Sequence, residues 1–194
     1  MTLSRLMSGL VEERRPSVSE VTIHMPHDRQ GENYTCGPAA LGMVLYYFGV
    51  EMREDKLSDA LKTSPRGGTS ATKMAELARR KGVRAEVVRR MSTGDLRTAV
   101  RAGKPVIVAF QAWGAGGTDY ADVWEHGHYA VVVGVGDLFI YFDDPATRSS
   151  PAYLTVREFE RRWHDVEDGE RVHRLAIVFE GRKKNDSREI IKIG

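Results

Sequence analysis

The chain has 194 residues, 41% of them hydrophobic, with 29 lysines and arginines against 27 aspartates and glutamates and a formal net charge of +2. That length suits one globular domain with its own core. The near-balance of charge gives no electrostatic basis for a nucleic-acid or membrane partner. The single cysteine, Cys36, excludes an intramolecular disulfide framework and fits a reducing compartment, so the expected location is the cytoplasm. The opening MTLSRLMSGLVEERR lacks the long apolar run and small-residue cleavage site of a signal peptide. No stretch approaches the ~20 apolar residues of a membrane helix.

Leu3, Leu6, Met7, Leu10 and Val11 recur at helical spacing, so residues 3–12 read as a short amphipathic helix. VTIHM (21–25) alternates and then meets Pro26, which predicts a short extended segment. CGPAALGMVLYYFG (36–49) is apolar on nearly every face, as a buried central helix is. Pro38 suits its first turn, where a missing N–H costs nothing, and Gly49 suits a left-handed C-terminal stop. Helices follow at about 54–62 and 70–81, the latter with Met74, Leu77 and Ala78 as its apolar stripe. A further helix near 93–102 begins after Ser92 or Thr93, both good caps.

The second half reads as a sheet. VRAEVVR (83–89), KPVIVAF (104–110), HYAVVVGV (128–135), LFIYFDD (138–144) and RLAIVFE (174–180) are rich in β-branched and aromatic residues. Gly136-Asp137 predicts a tight hairpin between two of them. A helix at about 155–164 precedes the last strand. Helices first and antiparallel strands later predict an α+β domain. The terminal GRKKNDSREIIKIG is charged and reads as a tail, or as an edge strand through Ile190–Ile193.

A lone cysteine is often only a small core residue. Cys36, however, falls at the first turn of a predicted helix, where unsatisfied N–H groups and the helix dipole favour an anion. The thiolate is the reactive form of cysteine. Such a nucleophile needs a base, an orienter and an oxyanion stabiliser. His128 opens one strand of the predicted hairpin and Asp144 closes the other, so the two meet if the strands pair across Gly136-Asp137. Gln30, six residues before Cys36, offers an amide N–H beside the Cys36 backbone N–H for an oxyanion. Asp143 rivals Asp144 for the orienting role, and His126 rivals His128. His24, His27, His126 and His128 make no zinc set by spacing, and no cofactor is implied.

Gln30, the YTCGPAALGMVLYYFG segment, GHYAVVVGV and YFDDPA together resemble the bacteriocin-processing, double-glycine-leader cysteine peptidases, family C thirty-nine, and their standalone relatives. The resemblance spans about residues 21–180. It implies a papain-like fold in which the helix starts at the catalytic cysteine. The family pattern of a Gln six before the Cys, a His leading a strand and an Asp-Pro after the next strand falls on Gln30, Cys36, His128 and Asp144. YLTVREFERRWHD (153–165) is similar to the closing helix of standalone members. Classical members are fused to a membrane transporter, which this sequence lacks, so cleavage after a Gly-Gly leader does not follow.

The expected organisation is an N-terminal extension (1–20), a papain-like peptidase domain (21–180) and a charged tail (181–194). The expected activity is hydrolysis of a peptide bond through a Cys-His-Asp triad and an acyl-enzyme, with a peptide or protein as substrate. An acyltransferase or transglutaminase-like enzyme, or a non-catalytic peptide-binding module, would use the same frame. The long connection QAWGAGGTDYADVWEHG (111–127) places Trp113, Tyr120 and Trp124 where they are candidates to line a substrate cleft.

Overall fold

The computed structural model describes residues 15–149 and 151–185. The helix expected over 3–12 and the edge strand expected through Ile190–Ile193 lie outside these residues. The fold is α+β. Among the described residues, five α-helices, α1 (Cys36–Tyr47), α2 (Glu54–Leu61), α3 (Ala71–Arg80), α4 (Thr93–Arg101) and α5 (Val156–Arg162), pack with a six-stranded antiparallel sheet. The sheet order is β1-β8-β2-β3-β4-β5, from β1 (Arg84–Val88), β2 (Val106–Gln111), β3 (Gly127–Val135), β4 (Phe139–Asp143), β5 (Ala152–Thr155) and β8 (Ala176–Glu180). A separate hairpin joins β6 (His164–Glu167) to β7 (Glu170–His173).

Local chemistry accounts for the main boundaries. The buried α1 carries Leu41, Met43, Val44 and Leu45 into the core from several faces. It stops before Gly49, which takes a φ of 80° that a side chain would resist. Ser92 caps α4 and Thr155 caps α5, each in a reciprocal capping box with the acid three residues on, Asp95 and Glu158. The strands β2 and β3 are buried almost throughout, because sheet neighbours flank both and helices cover them.

The β3–β4 hairpin closes at Gly136, whose N–H donates to Phe139 O at 2.9 Å. Its register pairs Val131 with Asp143 and then slips between Val132 and Gly134. At that bulge the Val133 carbonyl turns outward and accepts the Thr22 and Ile23 N–H groups, so the extended 21–25 segment lies across the strand without joining the sheet. The Tyr141 hydroxyl donates to Glu20, and Ser17 N–H donates to Tyr141 Oη. At the other end, the Lys184 and Asn185 N–H groups donate to Tyr47 O, so the chain beyond β8 folds back on the end of α1.

The structure differs from the sequence reading around α5. The helix is limited to Val156–Arg162; the residues before it form β5 and those after it begin β6. Thr155 starts the helix too late to include 153–154. At the other end, the buried Trp163 donates its indole N–H to Leu175 O and turns the chain out of the helix.

Glu167, at the end of β6, ties three elements together. Its carboxylate accepts the Ser70 hydroxyl and the Ala71 N–H at the start of α3, and the Tyr129 hydroxyl on β3. Truncation to Ala leaves a buried hydroxyl and a helix N-terminus without an acceptor. Glu167→Ala is expected to cost roughly 1–3 kcal/mol, measured as a lowered midpoint in urea unfolding.

Candidate active site

Cys36 is the first residue of α1 and is 9% exposed. Thr35, the N-cap, makes no side-chain cap to the helix; its hydroxyl instead exchanges hydrogen bonds with the Glu32 backbone. The first turn therefore keeps its N–H groups free of a side-chain acceptor. Gly37 fits this corner because a Cβ there would come within 2.7 Å of Thr69 Cβ.

His128 stands at the start of β3 with its ring buried. Its Nε2 lies 2.8 Å from Asp144 Oδ1. Phe110 packs edge-on against the ring and stacks on Phe142, and Phe159 of α5 touches both phenyl rings. Burial alone would lower the imidazole, but the Asp144 hydrogen bond, the Cys36 side chain and the charge of both partners outweigh it, raising it from 6.5 to about 9. With Nε2 committed to Asp144, Nδ1 is the ring nitrogen left for exchange with Cys36.

Asp144 follows β4 and is buried. Burial alone would raise its carboxyl, but the His128 hydrogen bond and charge, the Ala146 N–H and the Trp113 indole N–H hold it below the ordinary carboxylate range. The rivals separate by direction. Asp143 points to the opposite face and meets His27 Nδ1. His126 lies in the loop before β3, where its ring packs near Tyr120.

Gln30 lies in the strap that precedes α1. Its backbone N–H donates to Pro145 O at 3.0 Å, fastening the strap beside the Asp144 turn. Its amide Nε2 donates to Glu32 O at 2.8 Å, and its Oε1 is buried without a hydrogen-bond partner.

The three loop aromatics part company. Trp124 shares with Cys36 a cleft of about 640 Å³, which Gly127, Tyr129, Asp165 and the 65–69 loop also line. Trp113 and Tyr120 line a second cleft of about 390 Å³, walled by Phe110, Phe142 and Leu154 and open beside Asp144. Trp113 does more than line it: its Nε1–H donates to Asp144 Oδ2 at 3.2 Å, from a residue held at φ 59°. That contact had no signal in the sequence, because it depends on how the 112–126 loop folds back over β4.

Asp165 is a further buried acid on the wall of the Cys36 cleft. Burial and the nearby Glu167 carboxylate push it up to about 7, against hydrogen bonds from Val166 N–H and Gln111 that favour the charged form. Its β6 setting was not legible, since HDVE holds one aliphatic residue among charged ones.

The sequence profile of the Peptidase C39 family matches residues 24–167. The chain belongs to this family. The fold agrees with solved C39 domains. A double glycine motif protease from an AMS/PCAT transporter, solved with its leader peptide, shares 22% identity and a TM-score of 0.60, covering 86% of this chain and 98% of that one. A C39-like peptidase from Bacillus anthracis has a TM-score of 0.63 at 20% identity, over 82% of this chain and 96% of its own. The peptidase domain of Streptococcus ComA, a bi-functional ABC transporter of a quorum-sensing pathway, has a TM-score of 0.60 at 22% identity, over 82% and 98% of the two chains. An uncharacterized protein of Methanothermobacter marburgensis is 36% identical over 118 residues, 61% of this chain and 70% of that protein. Membership in the C39 family supports peptidase activity in general. No helix among the described residues is long and apolar enough to cross a membrane.

The His128 environment has a measurable consequence. A folded-state value raised above the unfolded one adds stability that is complete below about 6.5 and is lost as pH rises through about 9. A histidine NMR titration is expected to find one ring with a midpoint near 9, moved toward 6.5 by Asp144→Asn. A His128 midpoint at 6.5 in the unaltered protein would contradict the geometry.

Proposed function

We propose that this C39 chain is a cysteine peptidase that cuts a peptide bond through an acyl-enzyme, with Cys36 as nucleophile, His128 as proton carrier and Asp144 as its orienter. The observation that carries the reading is the buried imidazole bonded to Asp144 through Nε2 and influenced by Cys36 from the start of α1. A ring that holds its proton to about pH 9 suits a thiolate–imidazolium pair at neutral pH.

In this mechanism the Cys36 sulfur attacks the scissile carbonyl carbon. Oxygen takes up the displaced electron pair, and the Gln30 amide and the Cys36 backbone N–H stabilise it. As the tetrahedral intermediate collapses, the C–N bond breaks and the imidazolium gives its Nδ1 proton to the leaving amine. The thioester remains on Cys36. Water then attacks it while the neutral imidazole takes the water proton. Breakdown breaks the C–S bond, releases the carboxylic acid and restores the Cys36 thiolate beside the imidazolium, which keeps the proton taken from water. Asp144 stays ionised throughout and holds the ring in register.

The substrate is a peptide or protein segment that enters the Cys36 cleft in extended form. Gly127, directly before His128, leaves room for the Asp165 carboxylate on the same cleft wall, since a Cβ there would stand 2.3 Å from Asp165 Oδ1. A reducing compartment, the cytoplasm, suits a working thiolate that has no partner cysteine within the sequence.

Cys36→Ala is expected to abolish turnover and leave the fold intact. Cys36→Ser is expected to lose most activity, because a hydroxyl ionises far less readily than a thiol. The test is cleavage of a peptide library read by mass spectrometry, with the acyl fragment trapped on Cys36. Cleavage by Cys36→Ala at the unaltered rate would refute the assignment. The alkaline limb of kcat/KM is expected near pH 9, because the leaving amine needs the imidazolium proton and its loss there ends catalysis.

A further inference from the structure

Asp143 and Asp144 are neighbours in sequence, and each meets a different histidine. Asp144 meets His128. Asp143, on the other face of the chain, is buried and meets Nδ1 of His27. The His27 Nε2 lies 3.1 Å from Thr147 O. Both ring nitrogens of His27 thus face oxygen acceptors, and both acceptors belong to the end of β4 and the turn that follows it. Three residues further along, the Gln30 N–H donates to Pro145 O. The strap 27–30 is therefore fastened at three points to the same turn that carries Asp144.

The Gln30 amide is anchored at one end only. One of its N–H groups donates to Glu32 O, while Oε1 is buried with no partner. A side chain with an unanchored carbonyl end takes its aim from the backbone that carries it. That backbone is set by the His27 clasp and the Pro145 contact. Oxyanion stabilisation depends steeply on where the donor stands: a misplacement of about 1 Å can cost ~100-fold in rate.

We propose that Asp143 and His27 are positioning residues: the Asp143–His27 clasp sets the strap that aims the Gln30 amide at the oxyanion, while Asp144 serves the proton-transfer pair. The two adjacent aspartates thus align the two halves of the machinery against one turn. This rests on the assignment of Gln30 to the oxyanion site, and it adds residues that the triad does not contain. From alternation alone, replacing Asp143 would be silent. With the clasp in place, it acts on the rate through Gln30.

The test is a double-mutant cycle on a cleaved peptide. His27→Ala and Asp143→Ala are each expected to lower kcat roughly 10- to 100-fold with KM changed less than about threefold, the signature of a lost transition-state interaction. Asp143→Asn keeps an oxygen acceptor for His27 and is expected to recover part of the loss. Neither substitution should move the alkaline limb near pH 9, which belongs to His128. In a Gln30→Ala background, neither should lower kcat further. His27 is partly exposed, so its variant guards against a folding defect in the buried Asp143 variant. Losses that multiply in the double variants would overturn the proposal, as would a shifted alkaline limb. Reduced kcat in Gln30→Ala with unaltered kcat in both clasp variants would overturn the clasp alone. Unaltered kcat in Gln30→Ala itself would instead remove Gln30 from the oxyanion site.

Discussion

The site depends on keeping an imidazole and a carboxylate charged side by side in the interior. The His128 and Asp144 side chains are 7% and 5% exposed. Two charges removed from water are stable only when well paired and hydrogen-bonded, and breaking such a pair by removing one partner costs on the order of 3–5 kcal/mol. The fold meets that demand with donors. Ala146 N–H and His128 Nε2 both reach Asp144 Oδ1, and the Trp113 indole reaches Oδ2. Apolar packing does the rest. Phe110 packs against the ring, with Phe142 and Phe159 packed behind it. Stability and the proposed chemistry therefore lean on the same two side chains.

The register of one hairpin decides which acid serves which partner. Val131 pairs with Asp143, so Asp143 shares the face of Tyr129 and Val131, and the next residue turns the other way. A slip of one residue would turn Asp144 away from His128 and bring Asp143 to that face in its place. The register is protected on both sides of β3. On one side β2 pairs with it continuously from Val106 to Gln111. On the other, the irregularity at Val133 is not loose, since two N–H groups of the 21–25 segment occupy its carbonyl. Gly134 is required there, because a Cβ would stand 2.4 Å from Glu20 O. The segment before the strap thus locks the hairpin that aligns the site.

Much of this was legible. The start of α1 at Cys36, the turn at Gly136-Asp137 and the five aliphatic strands follow from periodicity and turn chemistry. So does the opposite direction of Asp143 and Asp144, once the strands are paired. The β6–β7 hairpin was harder. Its turn residues Asp168-Gly169 both adopt positive φ, as a tight hairpin asks, and that dipeptide is a signal. Its flanks HDVE and ERVH hide the signal, because only Val166 and Val172 are aliphatic among charged residues. The contacts of Trp113 with Asp144 and of His27 with Asp143 were beyond sequence reasoning. They join residues 31 and 116 positions apart and are fixed by loop packing that no local pattern encodes.

That hairpin also explains how Cys36 and His128 are brought together from opposite parts of the chain. Glu167 accepts the hydroxyl of Tyr129, the residue after His128, and so fixes the start of β3 from below. The same carboxylate accepts Ser70 and Ala71 at the head of α3. One residue earlier, Thr69 packs against Gly37 so closely that a Cβ there would collide with it. Gly37 is the second residue of α1, next to Cys36. A single buried acid therefore references both the strand that carries the His128 imidazole and the loop against which α1 abuts. Cys36 is seated by packing at the start of α1. Its position follows from a glycine pressed on a threonine, and that threonine's neighbour answers to the same acid as the strand of His128.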